Sequence, residues 1–455
     1  MKKTIKKLGV LIISAVMLLG LGGTIMADES MTGESGVIGE FTPPAGAEEK
    51  SSKVVIYKEL TAYNPEDCTV NAPTITFNYT VSSSNALAGK NIYDAKSHHD
   101  PLVNVHVLTK QGVGSPTITG TGEGVIALVP GTNTLKASVN GTANRYPLTV
   151  DFSGIDFLTD GSGAGVYRYQ IDETTTEAVK NAAGIKEGEV ANTLYMDVYV
   201  DGDGKIYGYV LFTNNVDIDA REDDDAAAAA AAGKTEGFVG TVADQTAYYS
   251  DTSVADKYYT FNLEVTKTVV GDNYTKNNHH QFPFEITLDN TTVTANVLPI
   301  MTVSANATQA ALSAGAIGTG ASATTWTPTI ADSAKVTYVG IPTGTTVTIK
   351  EQNDVTGVTY TSVSTNADTN ADSKDIYTGE WSNTATVNCN ATALTKAAEN
   401  HTSTASTAKQ VIFTNTLQQI SPTGIIVRSA PYILLLGAAI VLFVLSRRWA
   451  KKERA

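Results

Sequence analysis

From Lys53 onward, the chain is a series of short segments in which apolar and polar residues alternate, separated by turn residues. Such alternation is typical of strands with one buried face, and Thr, Val and Tyr, which favour strands, are frequent here. The clearest hairpin spans residues 194–215, where two strands flank the turn Asp201-Gly202-Asp203-Gly204. The pattern predicts an all-β fold built from Ig-like sandwiches.

The strand segments form two groups, which predict two tandem Ig-like β-sandwich domains at residues 53–216 and 257–417. Residues 217–256 between them hold a cluster of acids, a run of alanines and Gly233, which predict a short helix within a linker. Residues 28–52 are rich in Gly, Pro, Glu and Ser and are predicted to be a flexible stalk.

The amino-terminal end has the parts of a secretory signal peptide. Four lysines precede an apolar stretch, which ends at Ile25-Met26-Ala27, a cleavage site with a small residue before Asp28. We therefore predict a signal peptide at residues 1–27 and a protein that is exported; an uncleaved membrane helix is the alternative.

The carboxy-terminal residues 418–455 contain a short motif, an apolar segment and a basic tail. Residues 424–445 would span about 33 Å as a helix, enough to cross a bilayer, and the basic tail is expected to stay cytoplasmic. The order resembles a sortase cell-wall sorting signal, which implies cleavage between Thr423 and Gly424. The motif reads Ile-Ser-Pro-Thr-Gly, so its proline is one position later than in the usual Leu-Pro-x-Thr-Gly pattern. A plain single-pass membrane anchor that no sortase processes is the alternative.

Charge narrows the range of partners. The whole chain carries −14, but its first 27 residues contribute four lysines and residues 425–455 contribute six bases against one acid, so residues 28–424 carry −23. A surface this acidic argues against binding nucleic acid or an anionic membrane.

Three kinds of polar residue occur at inward-facing strand positions, and they occur twice in the same order. Side chains two residues apart face the same side of a strand, so a polar residue in phase with apolar ones points into the core. The in-phase residues are Lys58, Glu173 and Asn214 in the first domain, and Lys267, Glu351 and Asn415 in the second. The alternative is that they are solvated residues at strand ends.

A lysine or glutamate is costly to bury alone, so three inward groups are expected to meet. An apolar site favours the neutral forms of both Lys and Glu. A neutral amine is a nucleophile and the asparagine carboxamide is an electrophile, while a protonated glutamate can polarise its carbonyl and transfer protons. Attack of the amine would expel ammonia and leave a Lys–Asn isopeptide bond.

The segments that carry these residues, among them GVYRYQIDE, VLFTN, LEVTKTV, TVTIKE and VIFTNT, resemble the isopeptide-bonded domains of Gram-positive pilins and related wall-anchored proteins. The resemblance covers most of residues 53–417. It implies two cross-links, Lys58–Asn214 assisted by Glu173 and Lys267–Asn415 assisted by Glu351.

We therefore predict a structural protein of the cell surface, a pilin subunit or wall-anchored stalk. Its expected partners are sortase, the cell wall and identical or related pilin subunits. An adhesin of the same build that binds a host or partner ligand is the alternative. An enzyme is disfavoured, because the chain has no Ser/His/Asp order, phosphate loop or nucleotide fingerprint. In a polymer, sortase would join Thr423 to a surface lysine of the next subunit, and Lys205, beside a turn, is the candidate acceptor.

No metal or cofactor is predicted. The run His98–Asp100 lacks further ligands, and the Asp201 turn lacks the glutamate of a helix–loop–helix calcium site. Cys68 and Cys389 lie in separate predicted domains, which leaves a disulfide open without favouring one.

Overall fold

A computed structural model describes residues 49–93, 106–217, 233, 235–240, 255–270, 280–352, 360–368, 384–388, 408–417, 435–436 and 438–443. The predicted signal peptide, the alanine run, the Thr423-Gly424 motif and the basic tail lie outside these residues, as do His98–Asp100 and Cys389. Of the predicted anchor, residues 435–436 and 438–443 are helical. No helix in the described ranges is long and apolar enough to cross a membrane.

The described chain is mostly β-strand, as the alternation predicts. The elements up to residue 240 are β1 (Lys53–Tyr63), β2 (Cys68–Asn71), β3 (Ile75–Ser82), β4 (Asn91–Tyr93), β5 (His106–Leu108), β6 (Lys110–Gln111), β7 (Thr117–Thr119), β8 (Val125–Leu128), β9 (Thr134–Ala137), β10 (Thr142–Asp151), β11 (Gly165–Glu173), α1 (Glu177–Ala182), β12 (Ile185–Lys186), β13 (Thr193–Val200), β14 (Ile206–Phe212) and β15 (Gly237–Phe238), with a 3-10 turn at Asn85–Leu87.

The elements after residue 255 are again strands. They are β16 (Asp256–Val270), β17 (Phe282–Asp289), β18 (Asn296–Val297), β19 (Ile300–Val303), β20 (Ala307–Thr308), β21 (Gly315–Ala316), β22 (Thr324–Trp326), β23 (Thr329–Ile330), β24 (Lys335–Pro342), β25 (Thr346–Glu351), β26 (Tyr360–Asp368), β27 (Thr384–Asn388) and β28 (Ala408–Leu417), with a 3-10 turn at Gly320–Ser322.

The predicted hairpin is confirmed: β13 and β14 pair antiparallel, and the turn is closed by the Asp201 amide, which donates to the Lys205 carbonyl. Gly204 has φ 78°, a left-handed conformation that a residue with a Cβ adopts only with strain.

Two hydrophobic cores form along the chain. In the first, β1 and β10 face β3, β11 and β13; in the second, β16, β24 and β28 face β17 and β25. Each core is therefore the interior of a β-sandwich, with apolar residues at every second position of the facing strands. Phe238 of β15, which lies in the predicted linker, is buried in the first core and β15 pairs in parallel with β1.

One strand, β16, joins the two cores. Its first residues pair in parallel with the end of β1, and its later residues pair with β24 and β28. Tyr258 packs in the first core, whereas Phe261 packs in the second. A ten-stranded sheet therefore runs through both sandwiches, with β1 and β16 as neighbours at its centre.

Candidate functional site: two buried lysine clusters

The three residues predicted for the second domain lie together in its core. Lys267 is on β16, Asn415 is on the neighbouring strand β28, and Glu351 is the last residue of β25 in the facing sheet. Since β28 runs parallel to β16, Asn415 is opposite Val269, two residues beyond Lys267. Lys267 is fully buried, and Glu351 and Asn415 are each 2% exposed. We call these three residues the second cluster.

Glu351 bridges the amine and the amide of the second cluster. Lys267 Nζ donates to Glu351 Oε2 at 3.0 Å, and Asn415 Nδ2 donates to Glu351 Oε1 at 2.6 Å. Lys267 Nζ also donates to the Phe413 carbonyl at 3.3 Å. The other amide atom, Asn415 Oδ1, is buried and accepts no hydrogen bond from any described residue. The amine, the carboxyl group and the amide are thus in one hydrogen-bonded chain.

The surroundings of Lys267 favour its neutral amine. The Phe282 ring centroid lies 4.5 Å from Nζ. Burial lowers the pKa of Lys267 to about 8, against the opposing effects of Glu351 and Asp332. A buried amine with a lowered pKa is a better nucleophile at neutral pH than an exposed lysine.

A related cluster lies in the first core. Lys58 is on β1, Glu173 is the last residue of β11, and Asp256 is the first residue of β16, which enters the core beside β1. Lys180, on α1, also points into this site. All four are buried, and Lys180 has no exposed surface. We call these four residues the first cluster.

Lys58 lies between two carboxylates. Its Nζ is 2.8 Å from Glu173 Oε2 and 2.7 Å from Asp256 Oδ2. The Phe77 ring centroid is 4.8 Å from the same nitrogen, and the Tyr79 hydroxyl donates to Glu173 Oε2 at 3.3 Å. The lysine and the glutamate that the sequence predicts for this domain are therefore in contact.

The structure does not bring Asn214 to this cluster. Asn214 is exposed and lies two residues beyond β14, which is at the edge of the second sheet of this sandwich. Asp256, and not Asn214, occupies the position against the amine of Lys58 that the sequence predicts for Asn214. In the sequence, Asn214 is in phase with Phe212. Because β14 ends at Phe212, the alternation of side chains between the two faces of the strand does not extend to Asn214.

Asp256 and Lys180 are the residues that sequence reasoning missed. In the sequence, Asp256 could have been identified from its position at the start of the strand that carries Lys267. The available signal for Lys180 was weaker, since it is one of several polar residues on a short helix.

The charges of the first cluster stabilise one another. Burial by itself would raise the pKa of Asp256, but Lys58 and Lys180 outweigh it and hold that pKa below its usual value. Burial likewise opposes the charge of Lys180, but Glu173 and Asp256 raise its pKa. Burial and the neighbouring Glu173 raise the pKa of the Tyr79 hydroxyl.

The structure also describes two other residues that the sequence analysis singled out, Lys205 and Cys68. Lys205 is exposed, and its Nζ forms an ion pair with Glu49 Oε2 at 3.1 Å. Cys68 is half-buried and forms no disulfide with a described residue. Over the described ranges, no group of three or more His, Cys, Asp or Glu side chains is placed to hold a metal ion.

No protein-family model matches the chain, and no curated protein sequence matches it. Solved structures do give matches. A mutant of the major pilin from Streptococcus pyogenes is 14% identical, with a TM-score of 0.34 over 81% of this chain and 99% of that chain. The T-13 major pilin protein of Streptococcus pyogenes is 14% identical, with a TM-score of 0.31 over 81% and 100%. A mutant of a pilus-presented adhesin is 15% identical, with a TM-score of 0.22 over 50% and 37%.

Proposed function

We propose that this chain is a structural protein of a bacterial cell surface, a pilin subunit or wall-anchored stalk, in which an internal isopeptide bond closes each of two β-sandwiches. The observation that carries the proposal is the repeated cluster: a buried lysine amine, a buried glutamate and a buried carboxyl or carboxamide group in contact, once in each core. The burial of ionisable groups costs free energy of folding, so two such clusters indicate a role beyond packing.

In the second cluster, the reaction is a transamidation. The neutral amine of Lys267 attacks the side-chain carbonyl carbon of Asn415, so an N–C bond forms and the bond to the amide nitrogen breaks. Glu351 contacts both nitrogens and is placed to take a proton from the attacking amine and deliver it to the departing one. The products are a Lys–Asn isopeptide bond and ammonia.

In the first cluster, the acyl partner that we propose for Lys58 is Asp256, in place of Asn214. Attack of the Lys58 amine on the Asp256 carboxyl carbon forms the same kind of amide bond and releases water. Glu173, at 2.8 Å from Lys58 Nζ, is placed to accept a proton of the amine. Fixed contact between the groups supplies the effective concentration that such a slow reaction needs.

The two proposed bonds lie at opposite ends of one strand segment. Asp256 begins β16 and Lys267 follows near its end, so tension that enters at β1 passes through the first bond into β16 and leaves through the second bond into β28. The rest of each sandwich is bypassed. A chain pulled at both ends would then resist extension, which suits a pilus shaft or stalk.

Attachment to the envelope is the second part of the proposal. A sortase would cut between Thr423 and Gly424 and join Thr423 to the cell wall or to a lysine of the next subunit. Lys205 remains the candidate acceptor, and its exposure suits this role. A chain extracted from walls that still carries the tail with Trp449 would contradict cleavage.

Peptide mapping tests the bonds directly. Proteolysis of the denatured, reduced protein should give one branched peptide that joins Lys267 to Asn415 and another that joins Lys58 to Asp256. Glu351→Ala should abolish the first and spare the second, and Glu173→Ala should do the reverse. Linear peptides alone, at both sites, would overturn the proposal.

A further inference from the structure

The first cluster contains a second buried lysine that the reaction of Lys58 does not use. Lys180 Nζ lies 2.8 Å from Glu173 Oε1, 3.1 Å from Asp256 Oδ2 and 3.0 Å from Glu187 Oε1. The second cluster, among its described contacts, has one lysine only. A fully buried ammonium costs free energy, so its presence in one cluster calls for an explanation in the chemistry of that cluster.

The contacts of the first cluster form a closed ring. Glu173 contacts Lys58 through Oε2 and Lys180 through Oε1. Asp256 Oδ2 contacts both lysines, at 2.7 Å and 3.1 Å. The other oxygen, Asp256 Oδ1, accepts from the backbone N–H of Gly188 at 2.9 Å and from Lys180 Nζ at 3.3 Å.

This geometry distinguishes the two oxygens of Asp256. A backbone N–H holds Oδ1, and such a donor stabilises an oxygen that remains bound to the carbon. Lys58 contacts Oδ2 alone, at 2.7 Å, and Lys180 lies 3.1 Å from Oδ2 and 3.3 Å from Oδ1. Since Oδ2 is the oxygen that both amines approach more closely, it is the one placed to leave as water. In the second cluster, Glu351 touches the departing nitrogen itself. In the first cluster no described contact joins Glu173 to Asp256, whereas both lysines contact Asp256 Oδ2, so a lysine is the group placed to deliver the proton.

Lys58, and not Lys180, is the amine placed to attack. Lys180 is in contact with three carboxylates, which hold it as an ammonium, and an ammonium has no lone pair to attack with. Lys58 has the shorter contact with Asp256 Oδ2.

We propose that Lys180 is a further catalytic residue of the first cluster: it donates a proton to the departing Oδ2 of Asp256 and afterwards remains as the ion-pair partner of Glu173. This inference rests on the proposed function of that cluster. Lys58 first passes a proton to Asp256 and attacks as a neutral amine. Glu173 Oε2 takes the excess proton from the new amide nitrogen. Lys180 protonates the departing hydroxyl, which leaves as water, and recovers a proton from Glu173.

The charges of the first cluster before and after the reaction support the retention of the Lys180 ammonium. Before the reaction, the four residues of the first cluster supply two amines and two carboxyl groups, so their formal charges cancel; Glu187, which also contacts Lys180, lies outside this cluster. The new amide removes one of each, so Lys180 and Glu173 remain as a compensated pair, 2.8 Å apart. Without Lys180, the same reaction would leave the Glu173 carboxylate buried without this partner.

Two variants separate the roles of Lys180. Lys180→Met removes both the charge and the proton, whereas Lys180→Arg keeps the charge but cannot donate, because a guanidinium does not deprotonate in proteins. The fraction of full-length chain that carries the Lys58–Asp256 branched peptide is measured at purification and during incubation, with exposed Lys186→Met as the matched control. A general acid typically contributes about 100-fold or more to a rate. We therefore expect complete cross-linking in the wild type and the control, and incomplete, slowly rising cross-linking in both Lys180 variants.

Each result of this experiment either supports or overturns the proposed role of Lys180. Full cross-linking at purification in either folded Lys180 variant overturns the inference and leaves the proposed function intact. A branched peptide that joins Lys180 itself to Asp256 overturns it as well. If the Met variant does not fold, the Arg variant decides. A wild-type chain without any Lys58–Asp256 peptide overturns the proposed bond of the first cluster and this inference together.

Discussion

Replacement of Glu351 by glutamine should abolish the second cross-link while the reacting groups stay in place. The glutamine side chain is nearly isosteric with glutamate, but it cannot carry a proton between Lys267 and Asn415. The branched peptide of the second domain should therefore disappear and the full mass of the unlinked domain return.

The size of the stability loss follows from the loop that the bond closes. The bond joins β16 to β28 and encloses about 150 residues, for which a chain-entropy treatment of cross-links gives about 5 kcal/mol of stabilisation through the unfolded state. For a domain of this size, 1 kcal/mol shifts the melting temperature by about 2–4 °C, so we expect a fall of about 10–20 °C. The charge of Lys267, left in a buried site without a carboxylate, should add to that fall.

Differential scanning calorimetry of the full chain measures this effect as the difference in melting temperature from the wild type. Glu285→Gln, on the exposed face of β17, is the matched control and should leave the melting temperature unchanged. A Glu351→Gln protein that lacks the bond and yet melts within about 3 °C of the wild type would refute the loop-closure reasoning. One that keeps the bond would refute the role of Glu351.

Three further outcomes are expected. In Asn415→Ala, which cannot cross-link, the folded state holds the Lys267 proton less tightly than the unfolded state does. Its free energy of unfolding should therefore rise as pH increases from about 8 towards 10.5, and a Lys267→Met/Asn415→Ala double variant should lack this rise in urea titrations. Glu173→Ala should retain one water, about 18 Da, that the wild-type chain loses, and a variant with the wild-type mass deficit would exclude Glu173 from the reaction. If Lys205 is the acceptor, Lys205→Arg should remove the ladder of high-mass species from denaturing gels of cell-wall extracts, and a ladder that persists would exclude it.

Strand periodicity predicted the second cluster well because each of its residues lies inside a regular strand. Lys267, Glu351 and Asn415 are in phase with buried neighbours such as Val265, Ile349 and Phe413, and in the structure the three side chains meet. Where a strand continues past its apolar residues, a rule based on alternation places the next polar side chain correctly.

In the first cluster, the alternation of side chains along strands does not predict every residue of the site. Asp256 is on a strand that passes from one core to the other, and both Tyr258 and Tyr259 are buried, so alternation does not reveal which core a given residue faces. Lys180 is on a six-residue helix, where a period of two has no meaning. Both residues reach the site through contacts between segments distant in sequence, which only the tertiary structure brings together.

The most direct test of the two internal bonds is the intact mass of the purified wild-type chain under denaturing conditions, with both termini assigned by peptide sequencing. We expect a mass about 35 Da below that of the sequence, from the loss of one water of about 18 Da and one ammonia of about 17 Da. A deficit of about 34 Da would mean that two ammonia molecules are lost, so that Lys58 is joined to an asparagine such as Asn214 and not to Asp256. A mass equal to that of the sequence would contradict both bonds.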